Sequence, residues 1–215
     1  MALQLYYITD RRQFTSNDHE QEQRLLAKIV ECAAAGIEYV QLREKDLETH
    51  ALEKLAVKAM AALAGSRTRL LINSRTDVAL ACGAHGVHLP ANDLSASEVR
   101  AIFACAGRSE PVIGVSTHSL SEVASAEAHG ASFAVFGPVF EKSGSANREG
   151  LEQLRQICRR PEAAQPRMPV WALGGITLEN AGQCAAAGVA GIAAIRLFQE
   201  NDVGAVAKRL RSQRD

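Results

Sequence analysis

Short apolar runs rich in β-branched residues alternate with longer segments whose apolar residues recur at helical spacing, and the alternation repeats eight times. The strand candidates are Leu3–Thr9, Tyr39–Arg43, Leu70–Asn73, Gly86–Leu89, Val112–Val115, Phe133–Gly137, Val170–Leu173 and Gly191–Ile195. Each is almost wholly apolar, as a parallel strand covered on both faces must be. The helix candidates between them are Gln21–Ala35, Ala51–Ala64, Ser97–Cys105, Leu120–Ala128, Leu151–Arg159, Leu178–Ala187 and Val203–Ser212. Ser74-x-x-Asp77, Ser95-x-x-Glu98 and Ser119-x-x-Glu122 have the form of capping boxes, which satisfy orphan N–H groups at a helix start. Gly36, Gly130 and Gly188 stand where helices should stop, because glycine takes the left-handed cap conformation without steric penalty. Eight βα units without a composition break predict a single α/β domain over residues 1–215, a closed (β/α)8 TIM barrel. An open doubly wound sheet is the structural alternative.

Composition narrows the function classes. The 215 residues carry 24 Lys and Arg against 24 Asp and Glu, interspersed, so there is no basic surplus for a nucleic-acid backbone. Met1–Asp10 reads as a first strand and not as a signal peptide. The longest weakly polar run, Cys184–Ile195, falls short of the ~20 apolar residues a bilayer span needs, so no membrane partner is expected. The five cysteines, Cys32, Cys82, Cys105, Cys158 and Cys184, are odd in number and lack a Cys-x-x-Cys pair. They suggest neither a disulfide framework nor a zinc site, and a reducing cytoplasm fits them best. A homo-oligomer is compatible with the sequence.

Three groups of residues could carry chemistry. Gln41, Arg43 and Lys45 fall on one side of the second strand end by the period of two. Two cations and an amide suit a phosphate or a polyanionic leaving group, whereas the bland reading is a solvated strand end paired with Glu44 and Asp46. Gly174-Gly175 follows the seventh strand, with a helix starting at Thr177 or just after. Backbone N–H groups there can approach an anion, with Arg196 beyond the eighth strand as a possible added charge, although Gly-Gly is also simply a turn. Asn73, Asp77, Asp93, Ser116 and Thr117 offer oxygen ligands at strand ends that would suit Mg2+, with Ser74 and Asp77 equally readable as a helix cap. His88 and His118 lie near strand ends, where structural histidines outnumber general bases. The polar, small-residue loop Glu141–Gly150 lies on the same inferred rim and has the composition of a mobile lid.

Tyr7-Ile8-Thr9-Asp10, Val40-Gln41-Leu42-Arg43-Glu44-Lys45, Leu71-Ile72-Asn73, Gly86-Val87-His88-Leu89, Ile113–Ser119, Phe136-Gly137-Pro138-Val139-Phe140 and Ala172-Leu173-Gly174-Gly175-Ile176 occur in this order. As a set they resemble the thiamine phosphate synthase family, which includes TenI-type thiazole tautomerases. The resemblance runs over nearly the whole chain. It implies a (β/α)8 barrel that joins hydroxymethylpyrimidine diphosphate to thiazole phosphate, releasing pyrophosphate with Mg2+ assistance. It further implies that Gln41, Arg43, Lys45 and Asn73 face the pyrimidine diphosphate, Asp93 binds Mg2+ and Ser116 contacts the reacting region. Gly174, Gly175, Ile195 and Arg196 would surround the thiazole phosphate. The sequence departs from the family pattern at several places. Ser74 replaces a usual aspartate ligand, and Arg196 replaces a usual serine. Lys142, Gly144 and Ser145 stand where two threonines and a lysine are customary. Pro138 occupies the position of the tautomerase histidine. The alternatives are a TenI-type tautomerase and a noncatalytic thiazole- or thiamine-phosphate binder.

Overall fold

The computed structural model describes residues 3–15, 17–141, 144, 147–159 and 167–214. Eight parallel strands close on themselves in chain order, β1 pairing with both β2 and β8. They are β1 Gln4–Ile8, β2 Tyr39–Leu42, β3 Arg69–Asn73, β4 Gly86–Leu89, β5 Val112–Thr117, β6 Phe133–Phe136, β7 Val170–Leu173 and β8 Gly191–Ala194. The closure excludes the open-sheet alternative and bears out the predicted barrel. Every predicted strand is present, with ends within two residues of the expected ones.

The outer ring comprises α1 Asp18–Ala34, α2 Thr49–Ala62, α3 Thr76–Ala81, α4 Ala96–Cys105, α5 Leu120–Ala128, α6 Arg148–Arg159, α7 Ala181–Ala187, α8 Arg196–Gln199 and α9 Val203–Arg211. The short α3 and α8 were not legible as separate elements, since four to six residues span too few turns to show a helical period. Helix α1 illustrates how the ring is held. Leu25, Ile29 and Cys32 recur at helical spacing and are fully buried against the barrel. Each buried aliphatic side chain contributes about 1.5–3 kcal/mol relative to exposure. Gly36, Gly130 and Gly188 have the positive φ expected of helix stops.

Two of the three expected caps form. Ser95 and Glu98 make a complete capping box on α4, and Ser119 accepts the Glu122 N–H on α5. Ser74 and Asp77 do not make the third. Ser74 lies before the helix at φ 62°, Arg75 occupies the cap position without a side-chain bond, and Asp77 turns back onto Arg75.

Inward-facing residues divide the barrel into two zones. Tyr6, Phe133 and Trp171, with the half-buried Tyr39, fill the N-terminal half with ring centroids 5.1–5.9 Å apart. Toward the C-terminal ends the inward positions turn polar, at Gln41, Asn73, His88 and Ser116. The barrel is therefore plugged by aromatics below, with a polar arc from β2 to β5 above them and Ile8, Val135 and Leu173 completing the upper level.

Candidate active site

The strand register brings those polar positions together. Asn73 lies opposite His88, His88 opposite Gly114, and Ser116 opposite Val135. Gln41 Nε2 donates to Tyr6 Oη at 3.0 Å, Tyr6 Oη lies 3.2 Å from His88 Nδ1, and His88 Nε2 lies 2.9 Å from Ser116 Oγ. This line runs from the aromatic plug to the rim. Burial is the main reason His88 has its pKa lowered to about 3, aided by the positive charge of Arg43, so the ring is neutral. Burial likewise pushes the Tyr6 phenol far above its ordinary value. Sequence reasoning missed Tyr6, whose only signal was its inward parity on β1, two residues before Ile8.

Arg43 follows β2 at the rim, half-buried, and its backbone N–H is held by Thr9 Oγ1 at 2.9 Å. The acids expected to neutralise it are engaged elsewhere. Glu44, 5% exposed, accepts from Thr9 Oγ1 and from Arg11, while Asp46 receives both Arg11 guanidinium nitrogens at 2.8 Å. Burial raises the Glu44 pKa, partly offset by the Thr9 and Arg11 bonds, and the Arg11 contact lowers that of Asp46. Arg11 thus absorbs both carboxylates. Among the described residues, the charged ends of Arg43 and Lys45 meet no carboxylate, and the Asn73 amide has no protein partner. Lys45 is exposed at the edge of the group. The pairing of this strand end with Glu44 and Asp46 that the bland reading required does not occur.

On the opposite side, Gly174 and Gly175 have φ of 102° and 60°. A Cβ on Gly175 would sit 2.0 Å from the Glu141 carbonyl oxygen, and one on Gly174 would sit 2.7 Å from Pro138 Cα. The glycines therefore permit the β6 and β7 loops to touch, with Val139 N–H donating to Leu173 O and Phe140 N–H to Gly174 O. The N–H groups of Gly174 and Gly175 themselves have no partner among the described residues, which keeps them available to an anion. The helix after them begins at Ala181 and not at Thr177, because Asn180 folds residues 178–180 into a turn. Its Oδ1 accepts the Thr177 N–H, and its Nδ2 donates to Gly144 O and Gly175 O. Ile195 and the exposed Arg196 follow β8 beside this loop. Lys142 and part of the Glu141–Gly150 loop lie outside the described residues.

The oxygen ligands expected for a metal do not all converge. Asp77 is exposed and paired with Arg75, and Thr117 is buried with its hydroxyl on Val135 O. Asp93 remains at the rim, its Oδ2 receiving the Ser74 hydroxyl and its Oδ1 the Leu94 N–H. Among the described residues no three His, Cys, Asp or Glu side chains form a metal cluster. A single carboxylate fits Mg2+ only as one ligand beside water and substrate phosphate oxygens. His118 is occupied structurally, with Nδ1 2.6 Å from Gly137 O. A cleft of about 290 Å³ opens at the rim beside Asp93 and Ser116 and runs outward between α4 and α5, past Glu98, Glu122 and His129.

Among the described residues, the C-terminal face of this closed (β/α)8 barrel presents an arginine without a carboxylate partner, unpaired backbone N–H groups and the Asp93 carboxylate, on the face where barrel proteins of this class place their chemistry. The family model described as thiamine monophosphate synthase matches residues 5–198, and the chain belongs to that family. A Geobacter sulfurreducens protein carrying a provisional thiamine-phosphate synthase name is 42% identical, over 89% of this chain and 84% of its own length. The Methanoculleus marisnigri thiamine-phosphate synthase is 34% identical, over 99% of this chain and 96% of its own. The solved thiamine phosphate pyrophosphorylase of Pyrococcus furiosus superposes with a TM-score of 0.79 at 30% identity, covering 98% of this chain and 95% of that one. Among the described residues no helix is long and apolar enough to cross a membrane.

Proposed function

We propose that the protein is a thiamine phosphate synthase, joining hydroxymethylpyrimidine diphosphate to thiazole phosphate at the C-terminal face of its barrel. The observation that carries this reading is the Arg43 guanidinium, set at the rim while Arg11 holds both neighbouring acids. A preorganised cation without a protein counterion is suited to charge that develops on a leaving diphosphate.

In the reaction the bond between the pyrimidine methylene and the diphosphate oxygen breaks, the electron pair leaving with pyrophosphate. The thiazole nitrogen then supplies the pair for the new C–N bond. Arg43 and Lys45 bind the diphosphate and offset its growing charge, while Gln41 and Asn73 orient the pyrimidine. The Gly174 and Gly175 N–H groups hold the thiazole phosphate beside Ile195 and Arg196, and Ser116 faces the reacting centre. Resemblance to the family pattern makes Lys142 a further candidate for the diphosphate. Mg2+, held by Asp93 and completed by water and phosphate oxygens, would neutralise part of the diphosphate charge when bound. Pro138 leaves the site without the tautomerase histidine, which supports synthesis over tautomerisation. The free state of all five cysteines is in keeping with a reducing cytoplasm.

The test incubates purified protein with both substrates and Mg2+, with and without EDTA, and measures thiamine phosphate. Product that EDTA abolishes supports the assignment. Absence of product with intact, folded protein overturns it in favour of the tautomerase or the binder.

A further inference from the structure

The geometry points to Tyr6 as a positioning residue for the rim serine. Gln41, Tyr6, His88 and Ser116 form a one-way hydrogen-bond relay that fixes His88 as its Nε2–H tautomer and leaves the Ser116 proton free to be donated to a ligand.

The direction follows from which atoms carry protons. Gln41 Nε2 is only a donor, so Tyr6 Oη accepts from it at 3.0 Å. The phenol proton then goes to His88 Nδ1, 3.2 Å away. A neutral imidazole that accepts at Nδ1 holds its proton at Nε2, which donates to Ser116 Oγ at 2.9 Å. The serine oxygen is an acceptor within the protein, and its own proton has no partner among the described residues. A hydroxyl presented in this way donates to phosphate oxygen or a ring acceptor. It is not poised as a nucleophile, for which His88 would have to accept the serine proton.

The packing holds the relay in one arrangement. Tyr39, Phe133 and Trp171 meet the Tyr6 ring edge-on at interplanar angles of 72–90°, with centroids 5.7–5.9 Å away. These contacts restrict where the phenol oxygen can point. Gly114 lies beneath His88, where a Cβ would come within 2.9 Å of Nδ1 and 2.6 Å of the Phe133 ring. Only a residue without a side chain lets the imidazole sit this deep. The aromatic plug in the lower barrel thus has a second consequence besides stability, because it aims a polar line at the site above it.

Two measurements decide the matter, and the kinetic one rests on the proposed synthase reading while the spectroscopic one does not. In the full chain with 15N-labelled histidine at pH 7, nitrogen shifts should place the His88 proton on Nε2. In Tyr6→Phe, which keeps the ring packing but loses the oxygen, the Nδ1 partner disappears and the His88 tautomers should mix. In the same variant kcat for thiamine phosphate formation should fall about tenfold with KM nearly unchanged, the scale of one lost orienting hydrogen bond. Thermal melting of Tyr6→Phe checks that the fold survives. A wild-type His88 protonated on Nδ1 overturns the relay. So does an unchanged His88 tautomer in Tyr6→Phe or, where the wild type turns over, a Tyr6→Phe kcat equal to that of the wild type. If the wild type makes no product, the synthase reading fails and the tautomer result alone judges the relay.

Discussion

Acidification should expose the cost of burying a neutral histidine in the barrel. His88 is 3% exposed, and its pKa in the folded protein is lowered from 6.5 to about 3. As pH falls below 6.5 the unfolded chain takes up a proton at this ring and the native protein does not. The unfolded state is therefore favoured progressively until about pH 3, and the stability associated with the neutral ring is fully present only above 6.5. At pH 4.5, two units below the unfolded value, the loss is about 3 kcal/mol at roughly 1.4 kcal/mol per unit. That is a large part of the ~5–15 kcal/mol that holds a typical domain. Guanidinium chloride unfolding of the wild type and of His88→Gln between pH 7 and pH 4.5 measures it as the difference between the two pH dependences. Parallel curves, or a His88 resonance titrating near pH 6 in the folded protein, would refute the reasoning.

Three substitutions test the site. Arg43→Ala should lower turnover by about two to three powers of ten, the usual consequence of removing one preorganised charge stabiliser, and an unchanged rate removes Arg43 from the machinery. Ser74→Asp supplies a second carboxylate beside Asp93 at a left-handed position that aspartate tolerates. It should tighten Mg2+ binding on the order of tenfold by calorimetric titration, and unaltered binding would place the metal elsewhere. Gly175→Ala combines a φ of 60° with a contact 2.0 Å from Glu141 O. It should cost about 2–4 kcal/mol in thermal denaturation, and a neutral result would mean that the β6 and β7 loops separate freely.

Much of this protein is legible in its chain of residues alone. Strand and helix follow from the period of apolar residues, so Val112, Ile113 and their neighbours mark a buried strand wherever it packs, and a glycine such as Gly188 marks a stop through its own backbone freedom. Gln41 and Arg43 can be placed on one side of a strand because side-chain alternation is a local property. Partners in space are not legible in this way. Ser74 has the right spacing to cap with Asp77, yet its hydroxyl bonds Asp93, nineteen residues away, because the β3 and β4 ends lie side by side. Glu44 and Asp46 are the nearest acids to Arg43 in sequence, and closure of β1 onto β2 gives both to Arg11 instead. The same closure makes a hydrophobic-looking tyrosine on β1 the centre of a polar line to Ser116. Local periodicity determined the elements and their order. Which charge is cancelled and which is left for a ligand was decided only when eight distant strand ends met on one rim.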